Sequence, residues 1–405
     1  MINSDQKLNI ICLSNQLWDF PSWTNKRHVM SRLAKLGHNV LYVDPPINTG
    51  NVFLAQIKRK LWDASRLFTQ VKKDSSGAFV YTPLNIVPFS QITSQLHIKH
   101  INSLAKKHFD PQCKTVLWVY HVQLLQLASY LKKVKYDFLV YDCVDNYEGF
   151  PSNSAFYATS IGKENIVAQE KMLAEKANVV FATAPGLVEK LKTYNANTLF
   201  MPNVGDYEKF SKVDELKNLI PEDLANIKRP RVGFAGALDE YKFDAKLMKK
   251  VAEENPSISF VLIGQMGLKD ANASLDTIGL GGLQNIHFLG FRPYEILQNY
   301  YAGFDAYIIP YQLNDYTVGG CFPVKFHDAL AAGFPTIVTD LPAYYPFADV
   351  CYLSKSYDEF SANVKKALDE DSTSRILARR AVAKENNWDG KTQKMLGAIL
   401  ERQKL

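Results

Sequence analysis

The sequence contains no apolar run approaching the ~20 residues that a membrane-spanning helix requires, so a helical integral membrane protein is not expected. Its first apolar run, Leu8 to Leu13, is too short for a secretory leader and is followed by no cleavage site, so it reads as a strand. Cysteine is scarce. The five residues, at 12, 113, 143, 321 and 351, show no CxxC and no metal-ligand spacing. An odd set of isolated thiols argues against a disulfide framework and fits a reduced, cytoplasmic setting. No metal is expected. Internal repeats and low-complexity tracts are absent, which removes solenoid architectures. The basic residues lie in scattered clusters without a nucleic-acid-binding motif, so nucleic acid is not an expected partner.

What remains is a chain of 405 residues, long enough for two sizeable domains, with 21 Tyr and 23 Phe. The net charge of +6 is uneven. Met1 to Phe210 holds 24 Lys and Arg against 16 Asp and Glu, a net +8, leaving 23 against 25, a net −2, for the rest. Different partners for the two halves follow from that asymmetry. The basic clusters are Lys58-Arg59-Lys60, Lys72-Lys73, Lys106-Lys107 and Lys132-Lys133. Val52 to Lys73 interleaves such charges with Phe53, Leu54, Ile57, Leu61, Trp62 and Phe68. It reads equally as a helix lying on an anionic membrane surface and as a surface helix covering a sheet. Peripheral attachment at the inner face of the membrane is the first of those expectations.

Apolar runs and turn signals alternate along the chain in a β-α-β pattern. Leu8–Leu13 is a strand, Asn25–Leu36 a helix closed by Gly37, and Val40–Val43 the next strand. Further strands are expected at Phe79–Tyr81, Thr115–Tyr120, Phe138–Val144, Val179–Ala182 and Thr198–Met201. A second series begins at Arg231–Ala235 and continues at Ile258–Gly264, Asn285–Leu289 and Ala306–Ile309. Between the series, Ser211–Pro230 is charged and carries two prolines, as a linker would. The expected organisation is α/β, with two doubly wound Rossmann-like domains facing a central cleft. An N-terminal domain would span 1–210, a linker 211–230, a C-terminal domain 231–385, and a final helix at 386–405 would cross back to the first domain.

The stretch Ile309–Pro342 is the most informative. An apolar strand leads into a polar loop with Gly319-Gly320, Pro323 opens a helix through Lys325 and Asp328, Gly333 stops it, and Thr336–Thr339 is the next strand. Free amides and the dipole at a helix N-terminus attract an anion, and Lys325 adds a full charge, so a nucleoside diphosphate is the expected ligand.

Several segments, taken in order, resemble the retaining GT-B glycosyltransferases of family four, the group 1 glycosyl transferases that use nucleotide-sugars. Lys35-Leu36-Gly37-His38-Asn39-Val40 is similar to the family's LxxxGHxV, and Met201-Pro202-Asn203-Val204-Gly205-Asp206 to Phe210 to its PNGVDxxxF. Glu175–Ala184 is similar to its ADxVxxxS strand. Val232-Gly233-Phe234-Ala235-Gly236 resembles xGFxG, and Phe288-Leu289-Gly290-Phe291-Arg292 resembles FLGxxx. Phe304-Asp305-Ala306 to Pro310 resembles ADxxxxPS, and Asp328 to Pro335 resembles EAMAxGxPVV. Trp23–Arg27 and Pro323-Val324-Lys325 look most like bacterial cell-surface polysaccharide enzymes of the teichuronic-acid type.

The resemblance implies roles. Asp328 would take the ribose hydroxyls, in place of the second glutamate of a Glu-x7-Glu motif. Gly320 stands where the first glutamate belongs, so Gly319 and Gly320 amides, or Asp315, would make the sugar contact. Lys325 and Lys242 would hold the phosphates, since Ala237 fills the family's arginine place. Gly236 and Thr317 belong to the same donor group, and Phe291 and Arg292 would frame the nucleobase. His121 falls where the family has a histidine touching the donor sugar, although a histidine at a strand end also serves as a structural hydrogen-bonder. Asp145, at another strand end, could receive the acceptor proton or bind its hydroxyls. Trp23 and Arg27 lie in an aromatic loop that is either a platform for the acceptor sugar or packing on the sheet.

The implied activity is transfer of a sugar, with retention, from an NDP-sugar to a hydroxyl of a lipid-linked or polymeric cell-surface glycan, without metal or other cofactor. A nucleotide-sugar epimerase on the same fold, or a binding subunit that has lost activity through Gly320 and Ala237, are the rival readings.

Overall fold

The computed structural model describes residues 6–20, 22–48, 71–85, 91–148, 163–266, 274–320 and 322–403. Two compact units emerge, Met1–Met201 with Thr392–Leu405, and Pro202–Lys391. Among the described residues, no helix is long and apolar enough to cross a membrane.

The first unit is built on an eight-stranded sheet. In chain order the strands are β1 (Asn9–Leu13), β2 (Asn39–Val43), β3 (Ile47–Asn48), β4 (Val71–Lys73), β5 (Phe79–Tyr81), β6 (Leu84–Asn85), β7 (Thr115–Val119), β8 (Phe138–Cys143), β9 (Val179–Ala182) and β10 (Thr198–Phe200). The sheet order is β10-β9-β8-β7-β1-β2-β5-β4, while β3 and β6 pair separately. Every pair in the large sheet is parallel except β4 with β5. Continuous apolar runs explain this: β1, β8 and β9 are buried along their whole length, as strands covered on both faces must be. The helix Asn25–Lys35 follows β1, and Gly37, at φ +91°, turns the chain into β2. The helix Leu127–Lys133 carries no strong sequence signal and is an addition to the expected elements.

The second unit carries β11 (Arg231–Ala235), β12 (Ser259–Ile263), β13 (Ile286–Gly290), β14 (Ala306–Ile309), β15 (Thr336–Thr339) and β16 (Tyr352–Ser354), ordered β13-β12-β11-β14-β15-β16 and parallel throughout. Asp244 caps the helix Ala245–Glu254 by accepting the Leu247 amide at 2.9 Å. Ser356 caps Tyr357–Asp369 in the same way. The helix Val324–Ala332 follows β14 and a short helix. Pro323 is its N-cap, so helical geometry starts one residue later than expected, and Gly333 ends it at φ +88°. Phe326 and Leu330 of this helix are fully buried, each contributing about 2 kcal/mol by loss of apolar surface.

Three expectations are corrected. Residues 211–230 are not a free linker: Val213–Leu219 and Glu222–Ala225 are short helices, and Val213 and Leu224 lie in the core of the second unit. The loop before Pro323 is a helix, Asp315–Gly320, because Asn314 and Thr317 cap it reciprocally. The basic amphipathic stretch Val52–Lys73 falls mostly outside the described residues. Its end, Val71–Lys73, is a strand, paired to β5 through a turn at Gly77.

Candidate functional site

In the second unit the site forms where β11 and β14 end beside the start of the helix Val324–Ala332. Gly236 follows β11, and a Cβ there would lie 2.0 Å from Lys325 Nζ. The glycine is therefore what lets the lysine lie over the strand end. Lys325 Nζ donates to Tyr311 Oη at 2.8 Å and sits 4.6 Å from the centroid of Phe234. Lys242 lies 5.3 Å from the ring of Tyr241 and 4.9 Å from that of Tyr316. Burial raises the Asp239 carboxyl above its ordinary range, and the charges of Lys242 and Lys325 pull against that rise. Both lysines thus act on one locality. A cation in the first turn opposes the helix dipole and is offset by an anion.

Asp328 lies further along the same helix and is only 7% exposed. Its Oδ1 accepts the Asp206 amide at 2.8 Å. Gly205 makes that approach possible, because a Cβ there would be 2.8 Å from the Asp328 nitrogen. Burial pushes the Asp328 carboxyl up to about 8, against the Asp206 amide bond and the charges of Lys209 and Lys325, which favour ionisation. The Asn203–Asp206 turn is secured by Asn203 donating to the Phe322 carbonyl at 2.7 Å and by Tyr294 donating to Asp206 Oδ2 at 2.7 Å.

The remaining donor candidates are placed less directly. Thr317 is buried, with its hydroxyl donating to the Gln312 carbonyl at 2.5 Å, so its side chain serves the turn. Gly319 and Gly320 close the Asp315–Gly320 helix. Phe291 and Arg292 follow β13, but the guanidinium is turned to Asp223 Oδ2 at 2.6 Å and Tyr300 Oη at 2.5 Å. That ion pair orders the segment, which leaves backbone and the Phe291 ring for any base contact.

In the first unit, His121 follows β7 and Asp145 follows β8, at the carboxyl ends of neighbouring strands. Part of the His121 surface is exposed, yet packing strips the ring of water and Lys26 adds a like charge, pushing it down to about 3. It is a neutral imidazole at physiological pH. Asp145 Oδ1 accepts the Asn146 amide at 3.1 Å. Lys26 was not singled out by sequence. It occupies the first turn of Asn25–Lys35, is buried, and lies 5.8 Å from the Tyr120 ring. Burial lowers its pKa, while the charges of Asp145 and Asp142 raise it. The available signal was a lysine in a first helical turn with no acidic residue beside it. Arg27 stacks 4.1 Å from the Trp23 centroid. Trp18 beside them is fully buried, donating to Asp74 Oδ1 at 3.0 Å, so it belongs to the core. The described cysteines, 12, 113, 143 and 351, are free thiols.

Residues 229–369 match the family Glycosyl transferases group 1. A Bacillus subtilis protein named as a teichuronic acid biosynthesis glycosyltransferase is 24% identical over 265 residues, covering 63% of this chain and 64% of that relative, under two thirds of its length. Among solved structures, sucrose-phosphate synthase from Thermosynechococcus elongatus aligns over 98% of this chain and 99% of its own, with a TM-score of 0.69 and 16% identity. Anabaena HepE, solved with UDP and glucose, aligns over 96% of this chain and 98% of its own, with a TM-score of 0.65 and 15% identity. Residues 229–369 are thus similar to the group 1 glycosyltransferases, and the chain carries the GT-B fold, two Rossmann-like units on parallel sheets.

Proposed function

We propose that the protein transfers a sugar, with retention, from a nucleoside-diphosphate sugar to a hydroxyl of a lipid-linked or polymeric cell-surface glycan. The observation that carries this is Lys325, folded over Gly236 in the first turn of its helix with Lys242 acting on the same locality. Two cations and first-turn amides suit a diphosphate, whose charge grows as the glycosidic bond breaks. Asp328 takes the ribose hydroxyls, and Phe291 with the Arg292 backbone flanks the base. Gly319 and Gly320 supply amides to the sugar in place of the missing acid. Neutral His121 contacts the donor sugar, and Asp145 receives the acceptor proton. Trp23 and Arg27 form a stacked surface for the acceptor. HepE, solved with UDP-glucose, supports a nucleotide-sugar as donor, and the teichuronic acid relative supports a cell-envelope glycan as acceptor. The net +8 of Met1–Phe210 supports an anionic membrane surface as the place of work.

The test is NDP release from a panel of UDP-, GDP- and ADP-sugars, with and without glycan acceptor, together with thermal shifts by the free nucleotides. Acceptor-dependent release from one donor is the expected result. Release without acceptor is hydrolysis, and conversion of the donor without release identifies an epimerase. A shift with no turnover identifies the impaired binding subunit that Gly320 favours, and no shift with any nucleotide overturns the proposal. Because Lys325 and Lys242 take the diphosphate charge, EDTA should leave the rate unchanged.

A further inference from the structure

A cavity of about 590 Å³ opens in the second unit behind the segment that carries Lys242. Thr339 at the end of β15, Ser354 at the end of β16, Asp244, Phe243, Leu247 and Tyr311 line it, whereas Lys325 and Asp328 do not. Its size falls within the range of small-molecule sites. Thr339 is 6% exposed, and its hydroxyl oxygen has no hydrogen-bond partner. A buried hydroxyl left unpaired costs free energy that a ligand hydroxyl would recover. Ser354 Oγ accepts from Asn363 at 3.0 Å and retains its own proton to donate. Asp244 Oδ2 accepts the Tyr357 hydroxyl at 2.6 Å and has further acceptor capacity.

The lining also discriminates by charge. Two helix N-termini border the cavity, and each is already occupied by its own cap, Asp244 on the Leu247 amide and Ser356 on the Glu359 amide. Asp358 and Glu359 add negative charge to the second of them. An anion therefore gains nothing from either dipole. Lys246 and Lys355 stand against Glu240 and Asp244 in the lining, so its charge is balanced and gives a cation no net attraction. Hydroxyls that donate to Asp244 and accept from Ser354 and Thr339, with an apolar face against Phe243 and Tyr311, are satisfied on every side. We propose that this cavity is a second, non-catalytic site for a neutral saccharide. It draws on the glycosyltransferase assignment only for the source of that ligand, a glycan of the kind the enzyme extends.

The test titrates the full chain with maltotriose, cellotriose and xylotriose by calorimetry, with glucuronate and inorganic phosphate as charged arms. At least one neutral trisaccharide should bind with a Kd on the order of 1 mM. Thr339→Val, which removes only the hydroxyl, should weaken it about fivefold, and Ala245→Trp, which fills the cavity, should abolish it. UDP binding, measured separately, should be unchanged in both variants, so that failure here is distinct from failure of the donor site. No binding by any neutral trisaccharide, tighter binding of either charged probe, equal binding by both variants and wild type, or displacement by UDP would each overturn the proposal.

Discussion

The two units present opposite electrostatic problems at the ends of similar parallel sheets. In the second, Lys325 lies over a glycine and against a tyrosine hydroxyl, and it acts with Lys242 on buried Asp239. In the first, a buried lysine, Lys26, faces Asp142 and Asp145 beside a neutral histidine. The cation-rich end suits a ligand that arrives with two or more negative charges. The end where two carboxylates face one lysine suits a hydroxyl that must lose a proton. Under the proposed function, the charge placed at the strand ends would divide donor from acceptor chemistry.

Separating the two functions by mutation tests that division most severely. Asp145→Asn keeps the shape and removes the base. Turnover should fall about a hundredfold, the lower range of a lost general base, while the thermal shift by nucleotide stays as in wild type. An equal loss of nucleotide binding would place Asp145 in the donor site and erase the contrast. Lys325→Ala should do the reverse. Removing a charge-assisted contact of about 2 kcal/mol weakens nucleotide binding about thirtyfold. An unchanged shift would remove Lys325 from the site.

Asp328 sharpens the comparison through protons. Free, its carboxyl titrates at about 8, held up by burial. Ribose hydroxyls donating to it favour the ionised form, so nucleotide binding near pH 7 should release a fraction of a proton. Calorimetry in two buffers of different ionisation enthalpy measures this, and Asp328→Asn should remove the release. The folded pKa lies above the unfolded value, so the folded state holds the extra proton between roughly pH 4 and 8. Stability from this group is full below pH 4 and is lost as pH rises through 8. Asp328→Asn should accordingly flatten the stability profile between about pH 4 and pH 8, by a few kcal/mol in all.

The second unit was also the more legible. A strand, two glycines, Pro323 and Gly333 marked the helix, and the charge of Lys325 at its start is what raised the expectation of an anion. The Asn314-x-x-Thr317 spacing was a local capping signal that the loop reading passed over, whereas the turn of Arg292 to Asp223 depends on a neighbour far along the chain and left no local signal. The charge and prolines of 211–230 read as a linker, yet Val213, Leu224 and Ile227 lie in the core with Leu216 and Ile220 packed against it, a three- and four-residue spacing that the intervening charges and Pro221 obscured. In the first unit the strand ends located His121 and Asp145. Lys26 was hidden, since nothing in a lysine's neighbours along the chain reports that its side chain is buried.

The smallest expected effect concerns His327, next to Asp328 and opposite to it in sign. It is fully buried, stacks 5.3 Å from Phe322, and neither ring nitrogen has a hydrogen-bond partner. Burial pushes its pKa down to about 3. The folded value lies below the unfolded one, so the unfolded chain takes up the proton first, and stability is lost as pH falls below about 6.5. At pH 5 the unfolded state gains about 2 kcal/mol from this residue, and at pH 8 almost nothing. His327→Leu should therefore reduce the drop in stability between pH 8 and pH 5 by about that amount, measured by denaturant unfolding at both values. His97 and His121 of the first unit, held neutral at about 4 and about 3, should leave an acid-sensitive remainder in that variant. An undiminished drop would mean that His327 gains a proton partner in solution and that the acid limb belongs to the first unit alone.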